Sequence, residues 1–297
     1  MFKLFKFEEN YCDFEDKFSL HVRFTSRCPN RCEWCLDKYC AHNAEDEASG
    51  KKMAEVANWS ERKLMQVSGG EPMLNIDRLH EFFMNVNKGV KLNLNTYLPK
   101  TAYDNREKAY EIFDRCNMIE ISCQGISNEE DEATYKTKLN YDKYAFIEEL
   151  ATRYADKIHI NTILDKNKTK TMDDLRRLID WYYSIGIRNF YFKEIGDSKG
   201  KQFKDYISFN EILKNSGMKK LLPAFSYGCR PDLSRLFAKE YPGIYVRVKR
   251  WCFFEGGEKL TWIDKFKLWL NFNFLRKDSS IVLNENGLFS FWFVNED

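Results

Sequence analysis

Six short apolar runs, separated by helix-length stretches, occupy residues 19–196 of the 297-residue chain, and this alternation constrains the fold more than any other feature. The runs are residues 19–25, 63–67, 91–96, 118–122, 157–163 and 189–195. Between them Ile76, Leu79, Phe82, Phe83 and Val86 recur at helical spacing. Leu175, Leu178, Ile179, Trp181 and Tyr182 do the same behind an acidic first turn at Asp173 and Asp174. Residues 144–154 read as a further helix. Strands that alternate with helices are joined by crossover connections, which build a parallel sheet with helices packed on it. The expected class is α/β.

The pattern changes after residue 196. A polar breaker run at 196–201 leads to a helix near 208–215, a loop with Pro223 and Pro231, and two hairpin signals. One pairs 244–254 with 259–263 across a turn at 255–258; the other pairs 280–283 with 288–294 across Asn286-Gly287, a strong turn signal. The chain therefore reads as an N-terminal edge strand and lead-in (1–18), an α/β core (19–196) and a smaller β-rich C-terminal region (197–297) that covers the open flank of the sheet and holds no metal. Loops at 227–231 and 255–258 are expected to tune specificity.

Composition removes several function classes. Aromatic residues at 16% argue for a packed core and against disorder. No run approaches the ~20 apolar residues of a membrane span, and the charges interleaved through the first nine residues do not suit a secretory signal. The expected location is cytoplasmic, where thiols stay reduced. With 47 Lys+Arg against 45 Asp+Glu, the chain is unsuited to coating nucleic acid, though a local basic patch is compatible with that balance. Arg247, Lys249 and Arg250 alternate with Val246, Val248 and Trp251, the pattern of a solvated face beside a buried one. Together with Lys219, Lys220 and Arg230 they are a candidate contact for a phosphate or nucleic-acid backbone.

The chemistry is concentrated in Arg27-Cys28-Pro29-Asn30-Arg31-Cys32-Glu33-Trp34-Cys35, just past the first strand. Ligand sites of α/β folds lie at the carboxyl ends of the strands. Three thiolates on one loop there suit a [4Fe–4S] cluster with one iron left open to a small molecule, whereas electron-transfer clusters use four cysteines. A structural zinc site completed by Cys40 or His42 is the alternative, although zinc sites usually pair their ligands. Cys12, Cys40, Cys116, Cys123, Cys229 and Cys252 are read as small buried hydrophobes. No Cys-x-x-Cys pair follows Cys35 to suggest a second cluster.

Cys-x-x-x-Cys-x-aromatic-Cys after strand 1, with Trp34 at the aromatic position, resembles the signature of radical S-adenosylmethionine (radical SAM) enzymes. Ser68-Gly69-Gly70-Glu71-Pro72 after the next strand resembles the Gly-Gly-Glu-Pro segment of the same family. The core resembles the branch of molybdenum-cofactor cyclase and peptide maturases, but lacks the cysteine-rich tail that those often have. The resemblance covers residues 19–196 and implies a partial (β/α)6 TIM-type barrel, one [4Fe–4S] cluster on Cys28, Cys32 and Cys35, and SAM as second cofactor. The resemblance implies that SAM is cleaved reductively to a 5′-deoxyadenosyl radical that takes hydrogen from substrate. Gly69, Gly70, Glu71 and Pro72 are then expected at the SAM amino group, largely through backbone carbonyls, the glycines permitting close approach. Trp34 is expected near the adenine, with Ser122 and Asn161 as further SAM contacts. Asn95, Thr96, Lys193 and Glu194 have weaker claims, and Gln124 stands where the family often has Asp.

The implied partners are a flavodoxin- or ferredoxin-type electron donor and a substrate that is a peptide, a nucleotide or a small metabolite. A glycyl-radical activase acting on a partner protein is the enzymatic alternative. A zinc-stapled α/β binding module is the non-enzymatic one.

Overall fold

The computed structural model describes residues 19–35, 47–194, 205–218, 232–249, 281–283, 287 and 289–291. Strand β1 (Ser19–Thr25) is followed by helix α1 (Gly50–Trp59), β2 (Leu64–Gly69), a 3-10 turn (Pro72–Asn75) and α2 (Ile76–Asn85). Next come β3 (Lys91–Thr96), α3 (Lys100–Asp104), α4 (Arg106–Arg115), β4 (Cys116–Ser122), α5 (Asn128–Tyr135), α6 (Lys143–Tyr154) and β5 (Ile158–Ile163). The chain continues through α7 (Met172–Ser184), β6 (Asn189–Lys193), α8 (Phe209–Asn215), α9 (Ser234–Phe237), β7 (Tyr245–Lys249), β8 (Ile281–Leu283) and β9 (Phe289–Phe291).

The strands form one sheet in the order β7-β6-β5-β4-β3-β2-β1-β8-β9. All pairings from β7 across to β8 are parallel, and only β8–β9 is antiparallel. Among the described residues β7 and β9 are not paired with each other, so the sheet is an open, partial barrel.

Side chains alternate between the two faces of each strand. One face carries Leu20, Val22 and Phe24 of β1, Leu92 and Leu94 of β3, Ile119 and Ile121 of β4, and Phe190 and Phe192 of β6, all buried in the main core. This is the face the helices cover: Phe24 meets Phe82 of α2 with ring centroids 5.7 Å apart, and Phe190 meets Tyr182 of α7 at 6.3 Å. The opposite, inner face is polar, with His21, Arg23, Gln66, Asn93, Glu120, Ser122, His159, Asn161, Lys193 and Arg247 at alternate positions. Helix starts follow capping chemistry. Thr171 and Asp174 form a reciprocal capping box at α7, and Ser208 and Glu211 do so at α8.

The six core strands match the apolar runs to within two residues at either end, as far as they are described. The second hairpin forms as expected, with Gly287 at φ +81 between β8 and β9. Of the first, only β7 is described: it adds to the core sheet in parallel beside β6, while residues 250–254 and the expected partner at 259–263 lie outside the described residues. β8 likewise adds to the opposite edge beside β1. A parallel partner must come from a remote segment, which hairpin signals in the local sequence do not reveal. The lead-in at 1–18, Ile195, Cys12, Cys40, His42, Cys229, Cys252 and the loops at 227–231 and 255–258 also lie outside the described residues.

Candidate active site

The cysteine loop leaves β1 at the carboxyl end of the sheet and is held from three sides. Arg78 of α2 grips its stem from below. Its Nη1 donates to the Phe24 carbonyl at 2.8 Å and to Glu47 at 3.2 Å, Nε donates to the Ala48 carbonyl at 2.6 Å, and the guanidinium lies 4.2 Å from the Phe24 ring. The Thr25 hydroxyl donates to Glu47 at 2.5 Å and accepts from the Arg27 N–H at 3.1 Å. The β1–β2 register slips between Arg23 and Thr25, a bulge at the point where the strand gives way to the loop.

The second support is the loop after β2. Gly70 N–H donates to the Thr25 carbonyl at 2.6 Å, and Glu71 N–H donates to the Arg27 carbonyl at 2.7 Å. A Cβ on Gly70 would stand 2.1 Å from the Arg27 oxygen, and one on Gly69, whose φ is +124, would stand 2.4 Å from the Thr25 oxygen. Both glycines are therefore required by the approach of the cysteine loop itself, a reason additional to the approach of SAM expected from sequence.

The third support is the end of α5. Arg31 N–H donates to the Tyr135 carbonyl at 2.8 Å, the Thr137 hydroxyl donates to the Pro29 carbonyl at 2.8 Å, and Lys136 pairs with Glu33.

Cys28 is exposed, Cys32 and Cys35 are half-buried, and all three are free thiols. Solvent loss around the Cys28 sulfur pushes its thiol up to about 12, although the residue as a whole stays exposed. A backbone N–H from Asn30 opposes the rise, while Glu71, Cys32 and Cys35 add to it electrostatically. Among the described residues no group of three His, Cys, Asp or Glu side chains is drawn together tightly enough to hold a metal ion. The donor set nonetheless suits an iron–sulfur cluster: three soft, unoxidised sulfurs on one short loop with anchored flanks. Trp34 is half-buried within the same loop.

Glu71 is 1% exposed, and its carboxylate is fully engaged. Oε1 accepts from Met73 N–H at 2.9 Å and the Thr96 hydroxyl at 2.7 Å, and Oε2 accepts from Tyr97 N–H at 2.7 Å. Burial pushes the carboxyl up to about 7 against the opposing pull of these three donors. The side chain thus ties the β2 loop to the end of β3, with Thr96 as part of the tie. The Glu71 carbonyl is also engaged, accepting from Leu74 N–H at 3.2 Å.

Ser122 and Asn161 are register partners on the inner face of β4 and β5. Asn161 is 4% exposed; its Nδ2 donates to Glu120 at 3.4 Å, which fixes the amide orientation, and its Oδ1 is buried with no hydrogen-bond partner among the described residues. An orphaned acceptor on this face suits a bound hydroxyl or amine, such as SAM carries. Asn95, half-buried, shares the inner face. Lys193 also points inward, 3.4 Å from Glu120. Glu194 turns away, accepting from Phe209 N–H at 2.9 Å at the start of α8. Gln124 bridges strands, its Oε1 accepting from Ile163 N–H at 3.1 Å.

Sequence reasoning missed the pair that supports β4 from behind. Lys143 and Asp131 are both 0% exposed and joined at 2.5 Å. Lys143 Nζ also donates to the Ser122 carbonyl at 2.7 Å, and Asp131 accepts from Gln124 N–H at 2.6 Å. A lysine at the first position of a helix opposes the helix dipole, and that was the available signal.

The sequence matches no protein-family model and no curated protein. Solved structures do match in fold. Streptococcus suis SuiB bound to its precursor peptide SuiA is 13% identical with a TM-score of 0.56, over 92% of this chain and 58% of that one. Native anSMEcpe with bound AdoMet and the Kp18Cys peptide is 14% identical with a TM-score of 0.56, over 91% and 72%. The chain spans 40% and 49% of the first two SuiB structures it matches. The fold of this chain is that of the radical SAM enzymes, an open α/β sheet of the partial TIM-barrel type.

Proposed function

We propose that this chain is a radical SAM enzyme that modifies a peptide. One observation carries the reading: the three-cysteine loop and the Gly-Gly-Glu-Pro loop stand at the carboxyl ends of adjacent strands and are joined backbone to backbone, through Gly70 to Thr25 and Glu71 to Arg27. Each motif alone is short, and their physical union on a sheet of this fold supports a single site. Cys28, Cys32 and Cys35 hold a [4Fe–4S] cluster, and the carbonyls of residues 69–72 receive the SAM amino group. Trp34 lies beside the adenine, and Ser122 and Asn161 line the rest of the SAM pocket. When bound, cluster and SAM supply a one-electron cleavage that gives a 5′-deoxyadenosyl radical. The chain's own residues orient the cofactor and keep water from the inner face.

A peptide substrate is supported by the fold neighbours solved with the peptides SuiA and Kp18Cys. A cytoplasmic setting with a flavodoxin- or ferredoxin-type donor supplies the electron. The test is anaerobic reconstitution with iron and sulfide, then dithionite and SAM, with 5′-deoxyadenosine measured. About four irons per chain and nucleoside release are expected. Cys28→Ala, Cys32→Ala and Cys35→Ala each lose both, and Cys40→Ala keeps both. A colourless protein containing zinc overturns the proposal.

A further inference from the structure

Two side-chain amides on the inner face are satisfied by nothing among the described residues. Asn93 of β3 is 7% exposed; its Oδ1 is buried without a hydrogen-bond partner, and its Nδ2 bonds to no described residue. Gln66 of β2 is half-buried and makes no side-chain hydrogen bond to a described residue either. The two are register partners. Met65 and Val67, and Leu92 and Leu94, on either side of them are buried in the core, so both amides point inward. Adjacent strands lie about 4.8 Å apart, which stands the two amides side by side. Buried polar groups are almost always paired, and one left unpaired costs stability. Asparagine is also a poor strand former. Neither packing nor propensity accounts for Asn93, whereas a ligand that pairs with it does.

The surroundings select the ligand's chemistry. His21, Gln66, Asn93 and Met118 are successive register partners across β1 to β4, a row with no fixed charge. From β6 the Tyr191 hydroxyl donates to the Met118 sulfur at 3.9 Å, so the far side of the sheet curls over the row. Toward the carboxyl ends, Glu120 and Lys193 already face each other at 3.4 Å. The row lies three residues before Gly69, about 10 Å deeper than the loop assigned to SAM. A carboxylate there would accept from the two amide NH2 groups and leave both amide oxygens orphaned; an ammonium would do the reverse. A neutral group that both donates and accepts satisfies both ends. One residue of an extended peptide turns its N–H and C=O to the same side, and a side-chain amide answers with its oxygen and its NH2. A nucleotide would bring a phosphate to a row with no fixed cation to receive it.

We infer that Gln66 and Asn93 form a subsite that clasps the main chain of an extended peptide substrate at the floor of the inner face, holding the N–H and C=O of one residue and not its side chain. This deepens the peptide reading above and rests on it. The probe is N-acetylalanine N′-methylamide, titrated into the full, isotopically labelled chain and followed by NMR, with and without a reconstituted cluster. The side-chain NH2 resonances of Gln66 and Asn93 are identified by their loss in Gln66→Leu and Asn93→Leu. Both are expected to shift saturably at millimolar probe and to stay in place when acetate or methylammonium is added at matched ionic strength. Asn93→Leu, read at the Gln66 resonances, is expected to weaken the probe about tenfold while iron content and SAM affinity stay as in the parent. Should leucine at 93 prevent folding, Gln66→Leu is read at the Asn93 resonances in the same way. No shift at either amide, an equal response to acetate or methylammonium, an unchanged probe affinity in a folded variant, or tighter binding of uridine than of the capped alanine overturns the assignment. Loss of iron and SAM binding in the parent sinks the enzyme reading instead, and the titration of the metal-free chain still decides whether the two amides take a peptide main chain.

Discussion

Gly70→Ala is the most informative single perturbation, because it separates a role in holding the cysteine loop from a role in admitting SAM. The added Cβ would stand 2.1 Å from the Arg27 oxygen, 2.6 Å from its carbonyl carbon and 2.8 Å from the Ser26 carbonyl carbon. All three are backbone atoms that cannot swing aside as a side-chain tip can. Relief to ordinary van der Waals contact, 3.4 Å or more, requires the loops to part by about 1.3 Å or more. That movement breaks the bonds from Gly70 N–H to Thr25 and from Glu71 N–H to Arg27, now 2.6 and 2.7 Å. Two backbone hydrogen bonds at roughly 0.5–1.5 kcal/mol each amount to about 1–3 kcal/mol, and the melting midpoint should fall by about 2–6 °C. The larger consequence is for Cys28, which follows Arg27 directly: iron retained after anaerobic reconstitution and desalting should fall well below that of the parent. Gly89→Ala is the control, since a Cβ there meets nothing within 4 Å. The assay reads iron and acid-labile sulfide per chain alongside thermal unfolding. A Gly70→Ala protein with the parent's iron content and midpoint, weakened only in SAM binding, would refute the structural argument.

Three further outcomes follow from the same contacts. Lys143→Met leaves Asp131 charged and buried without its cation, so denaturant unfolding should register a loss of about 3–5 kcal/mol; Lys143→Met/Asp131→Leu should recover much of it, and a double variant no better than the single would contradict the pairing. Glu71 is held protonated up to about pH 7 in the folded chain, against an ordinary value of 4.5. The folded state therefore binds more protons than the unfolded one between those values. The contribution of Glu71 to stability is fully present below pH 4.5, falls by on the order of 3 kcal/mol as pH rises to 7, and is flat above. In the metal-free protein this slope should vanish in Glu71→Gln, and a persisting slope would assign it to another group. Cys116→Ala and Cys123→Ala remove thiols buried in the core, and both should keep the cluster; iron loss in either without a matching loss of fold would place a ligand where only packing is described.

Much of the core was legible because its signals are local. Residues 19–25 and 91–96 read as strands because Leu20, Val22 and Phe24, and Leu92 and Leu94, alternate with polar residues, and β1 and β3 have the same bounds. The candidate site was legible through spacing, since a three-cysteine loop and a Gly-Gly-Glu-Pro loop each occupy a few consecutive residues. What could not be read was everything that depends on remote partners. Nothing near residue 247 says that β7 joins β6, and so nothing says that Arg247 looks inward. Glu71 reads in sequence only as part of a segment expected to meet SAM largely through its backbone, and nothing there says that both its side-chain oxygens are claimed by groups at positions 73, 96 and 97. Burial alone decides that outcome, and burial is a property of the assembled sheet.

The same contacts explain why most of the motif residues can serve the site without touching a substrate. The sulfurs of Cys28, Cys32 and Cys35 lie on a loop tip, the least constrained part of any loop. A cluster ligand set needs flanks that are fixed while the tip adjusts to the metal. Arg78 fixes the stem through Phe24, Gly70 and Glu71 fix Thr25 and Arg27, and the end of α5 fixes Arg31 and Pro29. Glu71 in turn is fixed by Thr96 and Tyr97, so strands β1, β2 and β3 are locked together at the one level where the chemistry is expected. Behind β4 the Lys143–Asp131 pair does the same for Ser122 through its carbonyl. A surface loop stapled only by its own residues would fray; one stapled to three consecutive strand ends shares the stability of the sheet, and that is the physical reason the short motifs fall where adjacent parallel strands end.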